Sequence, residues 1–226
     1  MPQLIAMVIV VVGAMIYMFQ TFGGTGDKIE SVAIKASVIT EINNIKDGIK
    51  IAAKAGMIEK IASATTDAVT KLEGLAEMGY FAEQINDQLN LDGNTGTDKV
   101  NVYDAISFGG TKGKAPVGED AATDTSDMKI SLATLKGHIP GIYVNLGDGA
   151  LKDNAAFIEA QIANDLQGIA HIDRAAVSAT TGAAAVITTG VLQRVPQDTA
   201  AGGTGTNSDG KFIVYFTDFG TDELVK

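Results

Sequence analysis

The sequence predicts an α+β protein in which a long N-terminal α-helix, apolar in its first half and amphipathic in its second, packs on an antiparallel-sheet head. Three observations predict it. No charge occurs in the first 26 residues, and residues 4–22 form an almost unbroken apolar run. From Ile29 to Ala52 apolar side chains recur at three- and four-residue steps, the period of one helix face. Near the C-terminus residues 211–219 alternate, placing Phe212, Val214 and Phe216 on one face of a strand. The expected division is therefore an apolar helix with a Gly-rich break over residues 1–26, and an amphipathic stalk helix plus globular α+β head over residues 27–226.

Nineteen residues at the helical rise make roughly 28 Å, close to the hydrocarbon thickness of a bilayer, so residues 4–22 can span a membrane once. No Lys or Arg precedes Lys28, which is unlike a secretory signal with its basic start and short apolar region. Gly23, Gly24 and Gly26 follow, each disfavouring helix by about 1 kcal/mol relative to Ala, and predict a locally unwound backbone. Ile29, Val32, Ala36, Ile39, Ile42, Ile45, Ile49 and Ala52 then carry the amphipathic helix. Lys46, Lys50 and Lys54 fall at i, i+4 and i+8 and make a basic stripe, read as a solvated face or as a set of contacts to a neighbour's acidic head.

Residues 57–91 keep helical spacing, broken at Gly74 and Gly79, and predict one or two shorter helices. Val100 and Val102 start a strand that runs toward Gly109-Gly110, and residues 112–127 read as a loop. Residues 128–135 and 141–146 predict strands. Asp153 or Asn154 caps a helix that reaches about Gln167 and buries Ala155, Ile158, Ile162 and Leu166. Residues 186–192 are β-rich, and residues 200–210 form a polar loop before the last strand.

Charge is unevenly distributed. Of 17 basic and 27 acidic residues, six Lys and five acidic groups lie in residues 1–60, so the remainder holds 11 and 22 and carries all of the net −10. Such a surface repels nucleic acid phosphates. The chain has no Cys, which excludes disulfides, thiolate zinc sites and thiol catalysis. An exported head of this kind has to be held by packing or by its neighbours.

A long N-terminal helix of this two-part character, a second helical segment, the aromatic and paired-glycine stretch Tyr103 to Gly110 (YDAISFGG) and a late strand together resemble the type IV pilins, most closely the larger type IVb pilins. The resemblance implies a subunit stored in the inner membrane and then extracted, with a leader peptidase and pilus assembly machinery, into a helical homo-polymer at the cell surface. The sequence departs from that family at Ile5, where a Glu is usual, and no short basic leader precedes Met1, as in a processed subunit. Independently of the family, an apolar helix that leaves the bilayer needs another apolar environment, worth about 25 cal/mol per Å². Identical staggered helices supply it: Ala6 and Gly13 allow close approach, while Leu4, Ile5, Val8, Val11, Val12, Met15 and Ile16 fill the filament core.

Catalytic chemistry is not written in the sequence. His138 and His171 are isolated and read as loop or cap residues. The stretch Gly109 to Lys114 is one residue short of a phosphate-binding loop and ends in Ala115 where that loop needs Ser or Thr. Asp92, Asn94 and Asp98 read as a polar turn rather than a calcium loop. The expected function is thus a structural pilus subunit, not an enzyme, without cofactor, metal or nucleic acid partner. The alternative is a single-span anchored protein with an exported binding or sensing head.

Overall fold

The computed structural model describes residues 32–58, 71–90, 100–110, 126–134, 138–176, 178–179 and 208–225. The chain divides into two compact units, Met1–Ser37 and Val38–Lys226. Of the first, residues 32–37 are described, and they are helical. The second is a mixed α+β unit built on a five-stranded antiparallel sheet.

Helix α1 covers residues 32–54. Its predicted stripe is buried in its later part: Ile42, Ile45, Ile49 and Ala52 are inaccessible, Ile39 is half-buried, and Val32 is exposed. Two short helices, α2 (Leu72–Glu77) and α3 (Glu83–Leu89), stand where one or two were expected, but Gly74 lies inside α2 rather than breaking it. Gly79, at φ +75°, ends the α2 turn in a conformation that a side chain would resist.

The strands are β1 (Val102–Asp104), β2 (Lys129–Ala133), β3 (Gly141–Asn145), β4 (Ala170–Asp173) and β5 (Lys211–Phe216), in the spatial order β1-β2-β3-β5-β4. Between β3 and β4 comes α4 (Ala155–Leu166), and β5 then inserts between the two strands that α4 joins. That place pairs β5 along both edges, and its residues Phe212 to Phe216 are buried on both faces, which suits a continuously apolar run. Strand β1 is shorter than the sequence suggests, because the chain turns into a 3-10 segment at Ile106–Phe108. Gly109 takes φ +91° there, and a Cβ on Gly110 would collide with the Asp104 carbonyl, so the paired glycines are what this turn requires. The α4 start also differs from expectation. A 3-10 turn, Gly149–Asn154, precedes it, and Asn154 occupies the cap position without a side-chain hydrogen bond.

Strand β4 was not expected, and it corrects the placement of His171, which lies on a sheet edge rather than in a loop or cap. The residues 186–192 that read as β-rich lie outside the described residues, as do Asp92, Asn94, Asp98 and residues 111–115.

Candidate functional site

Strand pairing sorts the sheet into an apolar face and a mixed face that carries its buried polar groups. Directly opposed residues share a face, so Tyr103, Ile130, Val144 and Phe212 form one row, and Leu132, Ile142, Val214 and Ile172 the next on the same side. The other side carries Asp104, Lys129, Asn145 and Lys211 in one row, Val102, Ser131, Tyr143, Ile213 and Asp173 in the next, and Tyr215 opposite His171. Asp104, Lys129, Ser131, Asn145 and Asp173 are nevertheless buried.

Two sets of α1 side chains make long-range contacts. The Glu41 carboxylate, 3% exposed, accepts the Tyr103 hydroxyl at 3.0 Å and the Ser107 amide at 2.9 Å. Burial pushes the Tyr103 phenol well above its ordinary pKa, and the Glu41 charge adds to the shift. A turn further on, the Lys46 ammonium lies 4.6 Å from the centre of the Phe216 ring. Lys46 and Lys50 both reach Asp218 Oδ2, at 2.9 and 2.8 Å, and Lys50 also donates to the Asp218 carbonyl at 2.9 Å. Partial burial opposes the Asp218 charge, but the two ammonium groups outweigh it and hold the carboxyl below its usual range. The hydrogen bond to Asp218 in turn raises Lys50.

Within the chain, Lys46 and Lys50, two residues of the basic stripe, both pair with Asp218. Lys54, one turn further, is exposed. The other predicted site residues, Leu4, Ile5, Ala6, Val8, Val11, Val12, Gly13, Met15 and Ile16 in the core run and Gly23, Gly24 and Gly26 at the break, lie outside the described residues. Among the described residues no helix is long and apolar enough to cross a membrane, and no three acidic or histidine side chains gather as a metal site.

On the polar side three groups converge at the β2–β3 end of the sheet. Lys129 and Asn145 are directly opposed, and Asp148 Oδ2 accepts from both, at 3.1 Å from Lys129 Nζ and 3.0 Å from Asn145 Nδ2. The remaining amide oxygen, Asn145 Oδ1, accepts the Gly147 N–H at 2.8 Å. Nothing local in the sequence marks this group, because Lys129 and Asn145 become neighbours only through the β2–β3 register. The one available signal was that both expected strands carry a polar residue at the end where the intervening chain does not turn.

A second buried charge lies on α4. Glu159, fully buried, accepts Arg174 Nε at 2.6 Å and the Gly210 amide at 2.9 Å, tying α4 to the chain just after β4 and just before β5. Burial raises its pKa, and the Arg174 and Gly210 bonds pull it part of the way back. Beside the β4 edge, Ala163, Asn164, Gln167, Ala170, His171, Ile172 and Thr217 line an open groove of about 440 Å³. His138 is buried, and its carbonyl accepts the Val225 amide at 2.9 Å.

No protein-family model matches the chain, and no curated protein or solved structure does either.

Proposed function

We propose that the protein is a structural subunit of an extracellular type IV-like pilus, in which a single long helix, apolar over residues 4–22 and amphipathic beyond, polymerises through its first half and packs on the antiparallel sheet through its second. What supports this reading is a pair of contacts from α1, Glu41 to the Tyr103 hydroxyl and Lys46 over the Phe216 ring; in this reading they fasten the helix so that a pull on it is borne by the head. A membrane anchor joined to its domain by a flexible linker has no use for that fastening. In this reading the subunit waits in the inner membrane, is handled by a leader peptidase and assembly machinery, and ends at the cell surface as a helical homo-polymer without cofactor or catalytic turnover. The groove beside β4 favours a second reading, a single-span anchored protein whose exported head binds a ligand.

Electron microscopy of sheared cell-surface material separates the two. Filaments are expected from the unaltered chain, and Val11→Asp, which places an unpaired charge in the apolar core, is expected to abolish them while leaving the head folded by circular dichroism. Filaments of normal number and length from Val11→Asp would overturn the pilus reading.

A further inference from the structure

We infer that Lys129 and Asn145 are the partners of an intramolecular isopeptide bond between β2 and β3, formed by the chain itself with Asp148 as its acid–base group. The inference does not depend on the pilus reading. An amide link between a lysine and an asparagine needs an amine, a carboxamide within its reach, a proton carrier touching both nitrogens, and a donor on the amide oxygen. All four are present around Asn145.

The amine and the carboxamide are cross-strand partners on one face, where opposed Cβ atoms lie about 4.5–5.5 Å apart, a gap the long lysine stem can arch over. Lys129 Nζ and Asn145 Nδ2 share a single acceptor atom, Asp148 Oδ2, at 3.1 and 3.0 Å. The same carboxylate can therefore take a proton from the attacking nitrogen and hand it to the departing one. The Gly147 N–H, 2.8 Å from Asn145 Oδ1, already sits where negative charge develops as the carbonyl is attacked. Lys129 and Asn145 are both buried, which keeps competing water from the carboxamide, whereas the Asp148 side chain keeps 43% of its exposure and gives the released nitrogen a way out.

The step balances without any co-reactant. Asp148 takes a proton from the Lys129 ammonium, and the freed amine pair forms a bond to Asn145 Cγ. The carbonyl π pair moves onto Oδ1 under the Gly147 N–H, and Asp148 delivers its proton to Nδ2. The attacking nitrogen sheds its second proton to the Asp148 carboxylate, and the Oδ1 pair re-forms the carbonyl as the Cγ–Nδ2 bond breaks, that bond's electron pair leaving on ammonia. Ammonia carries that last proton away as ammonium. One Cγ–Nδ2 bond is exchanged for one Cγ–Nζ bond, and Asp148 ends as it began. In a chain without cysteine, the product is a covalent tie between neighbouring strands.

Mass spectrometry of the denatured full-length chain tests it. The expected mass is that of the sequence less one ammonia, and proteolysis is expected to yield a branched peptide joining residue 129 to residue 145. Lys129→Arg, Asn145→Ala and Asp148→Asn should each show no ammonia loss, with circular dichroism reporting whether they remain folded. A full-length chain that keeps its unreduced mass after prolonged incubation at neutral pH overturns the proposal, whatever the variants do. So does an ammonia loss that maps to another residue. A link that still forms in Asp148→Asn overturns the role given to Asp148.

Discussion

The two faces of the sheet are buried to nearly the same degree, but one is apolar while the other mixes buried polar groups with Val102, Tyr143 and Ile213. On one, Ile130, Val144, Phe212 and Val214 are inaccessible, and Tyr103 and Phe216 contact Glu41 and Lys46; on the other, Asp104, Lys129, Asn145 and Asp173 are almost as well covered. The apolar face draws its stability from area removed from water, about 25 cal/mol per Å², and needs only shape. A buried polar face gains little from area, because each group gives up water, and it holds together only where partners are supplied in the right geometry. The first face therefore sets how stable the head is. The second sets which arrangement the strands and loops adopt.

Truncating the apolar face should give the largest effect. Phe212→Ala removes a fully buried ring from an interior strand and should cost about 3–5 kcal/mol in urea unfolding of the full-length chain in detergent. A loss below about 1 kcal/mol would mean that the helix side is not the core. Next comes Arg174→Met, which strands the buried Glu159 carboxylate. Because the Arg174 side chain keeps 29% of its exposure, the expected loss is about 2–3 kcal/mol rather than the ~3–5 of a fully buried pair.

The pH dependence of that loss has a definite sign. Burial holds the Glu159 pKa above its unfolded value, so the group favours the folded state below the unfolded carboxyl pKa and loses that contribution as pH rises through the folded one. Removing Arg174 raises the folded pKa further. The penalty of Arg174→Met should accordingly be greatest at neutral pH and shrink on acidification, and a penalty independent of pH would show that the ion pair is not its cause. Glu41→Ala should follow at about 1–2 kcal/mol, through the loss of acceptors for the Tyr103 hydroxyl and the Ser107 amide.

The contrast between the faces also explains what could be read from the sequence. Strands β2, β3 and β5 were legible because their β-branched and aromatic residues leave a local pattern, and α1 because its Ile spacing does. Strand β4 was not: Ala170-His171-Ile172-Asp173 follows α4 after a short turn, has little apolar alternation, and is a strand only because β5 lies beside it. The Lys129, Asn145 and Asp148 group was hidden for a related reason, since a one-residue change of register would turn Lys129 to the opposite face from Asn145. Lys46 and Lys50 were legible as a stripe but not as a clamp, because Asp218 lies 168 residues beyond Lys50. Local periodicity announces apolar packing, whereas polar convergence is set by long-range topology.

The smallest expected effect tests that last clamp. Asp218 is shared by Lys46 and Lys50, yet its side chain is 44% exposed, so water and salt screen much of the attraction. Its folded pKa is lowered, which means that its contribution is present above the unfolded carboxyl pKa and lost as pH falls through the folded value. Asp218→Asn should therefore cost only about 0.5–1 kcal/mol at neutral pH and low salt, less at high salt, and almost nothing at a pH where the wild-type carboxyl is itself protonated. Urea unfolding of both chains at low and high salt, and at neutral and acid pH, reads all three. A loss of several kcal/mol that salt leaves untouched would place Asp218 among the structural supports of the core, and the division between a core that stabilises and polar groups that orient would fail where Lys46 and Lys50 meet the chain after β5.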